Sequence, residues 1–200
     1  MKILLTGFEP YGGCPENSSW AVAGEVAARG FLGVVVELLP VSFGRVGGCL
    51  REMVERHAPD VVIMMGQSGG SSMVKIERVA LNIMDAGIAD NDGYVPCEEP
   101  IVPNGPAAYF TQLPIKALCR AVEKRGVAMK ISNSCGLYVC NRLYYEALAL
   151  CGERPQMKAL FVHLPFFEGQ SSVMPGKATM PLGEMVMAIQ TLIEELYDKN

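Results

Sequence analysis

Two cysteines near the start of a predicted helix are the candidate nucleophiles of this sequence. The segment from Asn133 to Leu148 opens with small polar residues and continues with apolar residues at helical spacing, with Cys135 and Cys140 near its start. The first turn of a helix carries partial positive charge and unpaired N–H groups, and both favour a thiolate. From this pattern either cysteine can equally be a buried helix residue, and Cys135 lies closer to the helix start.

A histidine at the end of a predicted strand is the candidate base. The chain has two histidines, and His163 lies in the apolar segment from Ala159 to Pro165, which is typical of a buried strand that ends at a loop. A lone strand histidine usually belongs to the core. The combination of this histidine with a cysteine at a helix start favours a thiol–imidazole pair.

Glu77 is the candidate third member of such a site. It is an acid in an otherwise apolar extended segment from Val74 to Asn82. A buried carboxylate is costly unless it is paired. Glu77 therefore either faces solvent on an edge strand, which is the commoner case, or orients an imidazole. In an extended segment Arg78 would point to the opposite face.

Composition limits the class of protein. The 200 residues, half of them hydrophobic, fit a single domain spanning 1–200. Apolar runs are too short for a transmembrane helix, and Met1–Phe8 is better explained as a first strand than as a signal peptide. The net charge of −4, without a basic stripe, argues against nucleic acid as a partner.

The cysteines indicate a reducing compartment. There are seven, an odd number, with neither a Cys-x-x-Cys motif nor a histidine pair that would suggest zinc. Free thiols in the cytoplasm are the simplest interpretation.

Strand-like and helix-like segments alternate along the chain. This pattern predicts a three-layer α/β/α sandwich with an open, twisted, mostly parallel mixed sheet. The stretch 73–110 breaks the alternation and is expected to add antiparallel strands, with a long excursion over Asp85–Pro106. The predicted strands are Met1–Phe8, Gly33–Val41, Asp60–Gln67, the extended Met73–Ile83, Val127–Ser132 and Met157–Leu164. The predicted helices are Ser18–Arg29, capped near Asn17 or Ser18, Gly44–His57, Pro114–Arg125, Leu137–Cys151 and Leu182–Tyr197.

Three segments at predicted strand ends are expected on one rim of the sheet. Ligand sites in such sheets form beyond the carboxyl ends of the strands. Phe8–Pro10, Gln67–Gly70 and His163–Pro165 all lie at such ends. The glycines in these loops match no phosphate-binding motif and instead suggest close approach of backbone to a ligand.

An ordered set of short motifs resembles the pyroglutamyl peptidase type I family of cysteine peptidases, also called pyrrolidone-carboxylate peptidases. The motifs are Thr6-Gly-Phe-Glu-Pro-Tyr-Gly-Gly13, Asn17-Ser-Ser-Trp20, Leu39-Pro-Val41, Gly66-Gln67 with Gly69-Gly70, Glu77-Arg-Val-Ala-Leu-Asn82, Asp90-Asn-Asp-Gly93, Tyr138-Val-Cys-Asn141 and Phe161-Val-His-Leu-Pro165. Each is weak alone, but their order along the chain makes the set specific.

The resemblance implies the chemistry and the residues that carry it. Cys140 matches the family nucleophile, His163 the base and Glu77 the acid that orients the base, which favours Cys140 over Cys135. The family removes an N-terminal pyroglutamyl residue from peptides, without a metal or a cofactor. The resemblance also implies a single α/β/α domain and a homo-oligomer, a dimer or tetramer.

The resemblance also implies a substrate pocket. Pyroglutamate is an uncharged lactam, so its site needs flat apolar walls and a few hydrogen bonds to the lactam N–H and C=O. Its implied walls are Phe8, Tyr11, Ile88, Tyr138 and Val139, and the polar contacts come from Asn17 and the Gln67 backbone. For Tyr11 and Ile88, core packing is the competing interpretation.

One departure from the family pattern concerns the oxyanion. Members commonly carry arginine in Asp-Ala-Arg-Ile-Pro-Asp-Asn, whereas this chain has Asp85-Ala-Gly-Ile-Ala-Asp-Asn91, with Gly87 at that place. Loss of one oxyanion donor costs about 10²–10³ in rate. The expectation is therefore a slower enzyme, and the alternative is a binding protein or weakly active homologue that keeps the pocket. Ile76 also stands where members tend to have proline.

Overall fold

The computed structural model describes residues 1–198, in which strands and helices alternate along most of the chain. The strands are β1 Ile3–Phe8, β2 Val34–Leu39, β3 Val61–Gln67, β4 Val74–Glu77, β5 Val79–Leu81, β6 Ala108–Phe110, β7 Met129–Ser132, β8 Lys158–Leu164, β9 Phe166–Phe167 and β10 Thr179–Met180. The helices are α1 Ser18–Ala28, α2 Val46–His57, α3 Ile115–Lys124, α4 Val139–Glu153 and α5 Leu182–Tyr197.

Within these residues six strands form one mixed sheet in the order β2-β1-β3-β8-β4-β7. The pairs β1–β2, β1–β3 and β3–β8 are parallel. Strand β4 runs antiparallel to β8 and parallel to β7. The mostly parallel mixed sheet predicted from the sequence is therefore confirmed. Every residue of β1 and β3 is buried, as expected for central strands covered on both faces.

Helices cover both faces of the sheet, which confirms the α/β/α sandwich. Helices α1, α3 and α5 pack on one face with Leu5, Ile63 and Val162. Helices α2 and α4 pack on the other with Leu4, Met64 and Phe161. None of the helices formed by residues 1–198 is long and apolar enough to cross a membrane.

The predicted extended segment Met73–Ile83 divides at Arg78. The Arg78 backbone N–H donates to Ser132 O at 2.9 Å, and its carbonyl accepts from Thr111 N at 3.1 Å. These bonds join the main sheet to a second, two-stranded sheet in which β5 pairs antiparallel with β6. The expectation that this region adds antiparallel strands is confirmed.

The remaining differences lie at element ends and in the segment after β8, where the short strands β9 and β10 were not predicted. Helices α2 and α4 begin at Val46 and Val139, two residues later than predicted. Helix α1 is capped by Asn17, as expected: its side chain accepts from Ser19 N. The segment after β8 contains a short 3₁₀ turn, Glu168–Gln170, for which the sequence pattern gave no prediction.

Candidate active site

Cys140 is the second residue of α4, so the structure places its thiol at a helix N-terminus. The helix start is fixed by the next residue, Asn141, which is fully buried. Its Oδ1 accepts from Leu81 N at 2.9 Å, and its Nδ2 donates to Leu81 O at 2.8 Å and Ile83 O at 2.9 Å. The thiol itself is half-buried. It is therefore held by a rigid helix end and remains accessible.

The absence of a side chain at Gly66 makes room for this thiol. Gly66 lies in β3 and is in register with His163 in β8. A Cβ atom at position 66 would lie 2.9 Å from the Cys140 Sγ and 2.9 Å from Phe161 Cζ, closer than real contacts allow. Because residue 66 has no side chain, the Cys140 sulfur can lie against β3, which pairs with β8, the strand that carries His163.

His163 is held from one side by Glu77. Its Nδ1 donates to Glu77 Oε1 at 2.8 Å, and both side chains are buried. Burial lowers the pKa of His163, but hydrogen bonds to Cys140 and Glu77 outweigh it and raise the pKa to about 9. With Nδ1 on the carboxylate, Nε2 is left for the thiol. The solvent-facing interpretation of Glu77 is therefore wrong.

Cys135, the rival cysteine, lies in the core. It is 7% exposed, and its thiol donates to Val79 O at 3.8 Å. Burial, with a smaller contribution from the charge of Glu77, raises its pKa well above the ordinary value for a thiol. A thiol that stays protonated is a poor nucleophile. The structure brings Cys140, and not Cys135, to the imidazole.

A small apolar cavity lies beside Cys140. Its aromatic wall is held by ring contacts: the Tyr138 ring lies 5.9 Å from the tilted ring of Tyr11 and meets the ring of Phe43 edge-on at 5.2 Å. Burial, then Asp90 and Cys140, raise the pKa of Tyr138 to about 12, so its phenol stays neutral. Six of the predicted pocket residues line the cavity with Cys140 and Val41, namely Phe8, Tyr11, Asn17, Gln67, Tyr138 and Val139.

Ile88 does not join the predicted wall. Its side chain is 53% exposed, and it is not among the residues that line the cavity. The loop contacts the cavity wall through the backbone of the next residue, since the Tyr138 hydroxyl donates to Ala89 O at 2.9 Å. The loop is thus attached to the wall through its backbone, and the Ile88 side chain is left facing solvent.

The side chains of Asn17 and Gln67 are already engaged within the protein. Asn17 Oδ1 accepts from Ser19 N at 3.0 Å, and its Nδ2 donates to Glu9 O at 3.0 Å. Gln67 Oε1 accepts from Ser18 N at 2.9 Å and from Gln170 Nε2 at 2.7 Å. A contact from the Gln67 backbone, at the carboxyl end of β3, stays a prediction. Asn17 can offer only the second hydrogen of its amide.

The Asp90-Asn-Asp-Gly93 motif fixes the loops around the cavity. The buried Asp90 accepts from Phe43 N at 2.8 Å through Oδ2 and from Tyr94 N at 2.9 Å through Oδ1. Asn91 donates to Glu9 Oε1 at 2.8 Å, and its backbone N–H donates to Val41 O at 2.9 Å. The motif therefore joins the loops that follow β1 and β2 to the excursion.

Sequence reasoning missed Val41, Asn141 and Asp90 as contributors to the site. Val41 follows the end of β2, at the same rim as Phe8 and Gln67, so its position after a parallel strand was the available signal. The other two are polar residues whose role is to bond backbone groups distant in sequence. No local pattern predicts such partners.

Gly87 leaves the region around it open. It is exposed, and a Cβ built on it meets no atom within 4 Å. The donors that remain near the thiol are the N–H groups of Val139 and Cys140, the first two of α4, because those of Asn141 and Arg142 donate to Tyr138 O at 3.0 and 3.3 Å. These backbone groups are suited to an oxyanion.

Comparisons with known proteins identify the family of this chain. The family described as pyroglutamyl peptidase matches residues 1–199. The pyrrolidone-carboxylate peptidase of Gloeobacter violaceus is 41% identical over 100% of this chain and 98% of its own length, and that of Escherichia fergusonii is 38% identical over 98% and 92%. The crystal structure of pyroglutamyl peptidase I from Bacillus amyloliquefaciens superposes with a TM-score of 0.90 at 36% identity, covering 96% of this chain and 94% of the other. The chain therefore belongs to the pyroglutamyl peptidase family.

Proposed function

We propose that this cysteine peptidase removes an N-terminal pyroglutamyl residue from peptides, with Cys140 as nucleophile, His163 as acid and base, and Glu77 as the group that orients the imidazole. The observation that carries these roles is the position of His163. Its Nδ1 is bonded to Glu77 at 2.8 Å, and its pKa is raised by bonds to both Cys140 and Glu77. One ring nitrogen is thus fixed, and the other serves the thiol.

Acylation uses the thiolate and the imidazolium as a pair. The Cys140 sulfur attacks the pyroglutamyl carbonyl carbon, and the carbonyl oxygen gains negative charge near the first N–H groups of α4. His163 then gives its Nε2 proton to the amine nitrogen as the C–N bond breaks. The raised pKa of His163 keeps that proton available at neutral pH. The products are a thioester on Cys140 and the shortened peptide.

Deacylation reverses the role of His163. The neutral imidazole accepts a proton from water, whose oxygen attacks the thioester carbonyl. The C–S bond breaks, free pyroglutamate leaves, and the proton on the ring restores the imidazolium beside the thiolate. Glu77, without exposure to solvent, stabilises the charged ring in both steps.

The cavity beside Cys140 suits the lactam ring. Its walls are apolar or aromatic apart from Cys140 and the uncharged amides Asn17 and Gln67, and neither a carboxylate nor a cationic side chain lines it. An N-terminal ammonium would have no carboxylate to pair with there, so a free amino terminus is disfavoured. The Gln67 backbone supplies polar contacts to the lactam.

A binding protein that retains the pocket without chemistry, or a weakly active homologue, was the alternative suggested by Gly87. The comparisons give it no support, since the matched family and the relatives are named as peptidases. An imidazole oriented by a buried carboxylate, as His163 is by Glu77, serves proton transfer, which a site that only binds a ligand does not need.

The test compares two cysteine variants on a pyroglutamyl-amide reporter under reducing conditions. We expect Cys140→Ser to lose nearly all turnover, whereas Cys135→Ser keeps most of it. The second variant is the matched control, because Cys135 lies five residues earlier but is buried in the core. Turnover that survives loss of the Cys140 thiol, or depends on Cys135, would overturn the assignment.

We also propose that the enzyme acts on pyroglutamylated peptides in the cytoplasm, as a homo-oligomer. All seven cysteines are free thiols, which supports a reducing compartment. The dimer or tetramer rests on the family resemblance, and light scattering on the purified chain tests it.

A further inference from the structure

Four residues lie in one row across the sheet at the level of the thiol. Gly66 in β3 is in register with His163 in β8. His163 is in register with Lys75 in β4, and Lys75 with Lys130 in β7. Side chains that are directly opposite on paired strands point to the same face. The row therefore runs from the slot that holds the Cys140 sulfur to the imidazole and then to two ammonium groups.

The cavity lies at the other end of this row. Its lining residues come from the ends of β1 and β3, from the loop after β2 and from the start of α4. In the strand order β2-β1-β3-β8-β4-β7, these are the strands on the far side of the thiol from His163. A pyroglutamyl ring in the cavity, with its carbonyl at Cys140, directs the rest of the peptide over β8 and on towards β4 and β7.

Neither lysine is neutralised by the protein. Lys75 is half-buried, and its Nζ donates to Ser68 Oγ at 3.0 Å, which holds the ammonium at the rim. Lys130 is exposed. Within residues 1–198 neither takes part in an ion pair. The carboxylate of Glu77, two residues from Lys75 on the same face, is bonded to His163.

We propose that Lys75 and Lys130 determine specificity for the residues after pyroglutamate and favour acidic side chains over basic ones there. This inference rests on the proposed function. Neighbouring strands are about 4.8 Å apart, so Lys75 lies about 10 Å and Lys130 about 14 Å across the sheet from β3, where Gly66 makes room for the thiol. An extended peptide advances about 3.3 Å per residue. Lys75 thus faces the second or third residue of the leaving peptide, and Lys130 faces the fourth.

The test measures kcat/KM for peptides that differ only in charge. The first set is pyroglutamyl-Ala-Glu-Ala-Ala, pyroglutamyl-Ala-Lys-Ala-Ala and the neutral pyroglutamyl-Ala-Ala-Ala-Ala. The second set places Glu or Lys two residues later. We expect kcat/KM for the acidic peptide to exceed kcat/KM for the basic peptide by at least about threefold in each set. The expected ratio is modest because partly exposed charges interact weakly. Added salt at 0.5 M should reduce the ratio by screening.

Variants assign the preference to each lysine. Lys75→Met should bring the ratio in the first set close to one with little change for the neutral peptide, and Lys75→Arg should retain it. Lys130→Met should act mainly on the second set. Lys124→Met is the matched control, because this exposed lysine lies on α3, against the opposite face of the sheet.

The outcomes separate this inference from the proposed function. Equal cleavage of all peptides by the wild-type chain would reject the role of the lysines and leave the peptidase assignment intact. A preference that persists in the double Lys75→Met, Lys130→Met variant would reject it too. Failure to cleave even the neutral peptide would reject both proposals.

Discussion

Replacing Gly66 by alanine tests whether the thiol depends on an empty position in β3. The added Cβ would lie 2.9 Å from both the Cys140 Sγ and Phe161 Cζ, whereas ordinary contacts begin at 3.4 Å. The shortfall is the difference between these values, 0.5 Å, on each side. The Phe161 ring is fully buried and packs 4.8 Å from the His163 ring, centroid to centroid. The half-buried thiol is therefore the group that moves.

The expected effect is a loss of turnover in a chain that stays folded. Overpacking a core lowers the free energy of unfolding by about 1–3 kcal/mol. Replacement of glycine by alanine raises it by about 0.4–1 kcal/mol, because alanine reduces the conformational entropy of the unfolded chain. The net loss is about 1–2 kcal/mol, which leaves a protein of ordinary stability folded. A displacement of about 1 Å at a reacting atom lowers the rate about 10²-fold. The 0.5 Å shortfall is half of that displacement, so we expect Gly66→Ala to lower kcat by about 10-fold.

The assay combines kcat on a pyroglutamyl-amide reporter with urea unfolding of the same sample. Gly48→Ala is the control, because Gly48 is an exposed glycine in α2 around which a Cβ meets nothing within 4 Å. It should gain about 0.5–1 kcal/mol in stability and keep its activity. Gly66→Ala with kcat within threefold of wild type would refute the claim that the thiol needs this space.

Four further predictions follow from the same site. Turnover should fall above about pH 9, where His163 loses the proton that it gives to the leaving amine. Glu77→Gln should move this fall to lower pH in a pH–rate profile. An unchanged profile would contradict the orienting role of Glu77. The same raised pKa stabilises the fold fully below about pH 6.5, and this contribution disappears as pH rises to about 9. Asn141→Ala should lower the free energy of unfolding in urea by about 3 kcal/mol, since the three hydrogen bonds made by a buried amide are lost; a loss under 1 kcal/mol would show that water replaces the amide. Gly87→Arg should raise kcat more than it changes KM, because the open space accepts a guanidinium and an oxyanion contact acts in the transition state; a gain confined to KM would assign that role to another group.

The sheet and its rim could be predicted from the sequence because their signals are local. Unbroken apolar runs such as Val61–Gln67 identify central strands, and parallel strands place their carboxyl ends at one edge. That reasoning placed His163 and Gln67 correctly at the rim. The family motifs then distinguished Cys140 from Cys135, which local pattern left open.

The contacts within the rim could not be predicted in this way. Glu77 looked like an edge-strand charge, since burial of a carboxylate depends on a partner 86 residues away in sequence. The outward position of Ile88 depends on a bond between Tyr138 and a neighbouring carbonyl, which no periodicity encodes. The alignment of Lys75 with Lys130 could be seen only from the pairing register of the strands, because β4 and β7 are separated in sequence by the whole excursion.

The excursion between β5 and β6 has a consequence for how the enzyme fails on heating. Between residues 82 and 107 the one β-bridge joins Met84 and Glu99, and the rest is held by isolated backbone bonds and by side-chain bonds such as those of Asp90. Segments with few backbone ladders open at lower free energy than the sheet they rest on. Local opening here would release the Tyr138 wall while the strands that carry His163 and Glu77 stay folded. We therefore expect heat inactivation to begin as a reversible opening of this excursion, before the sandwich melts.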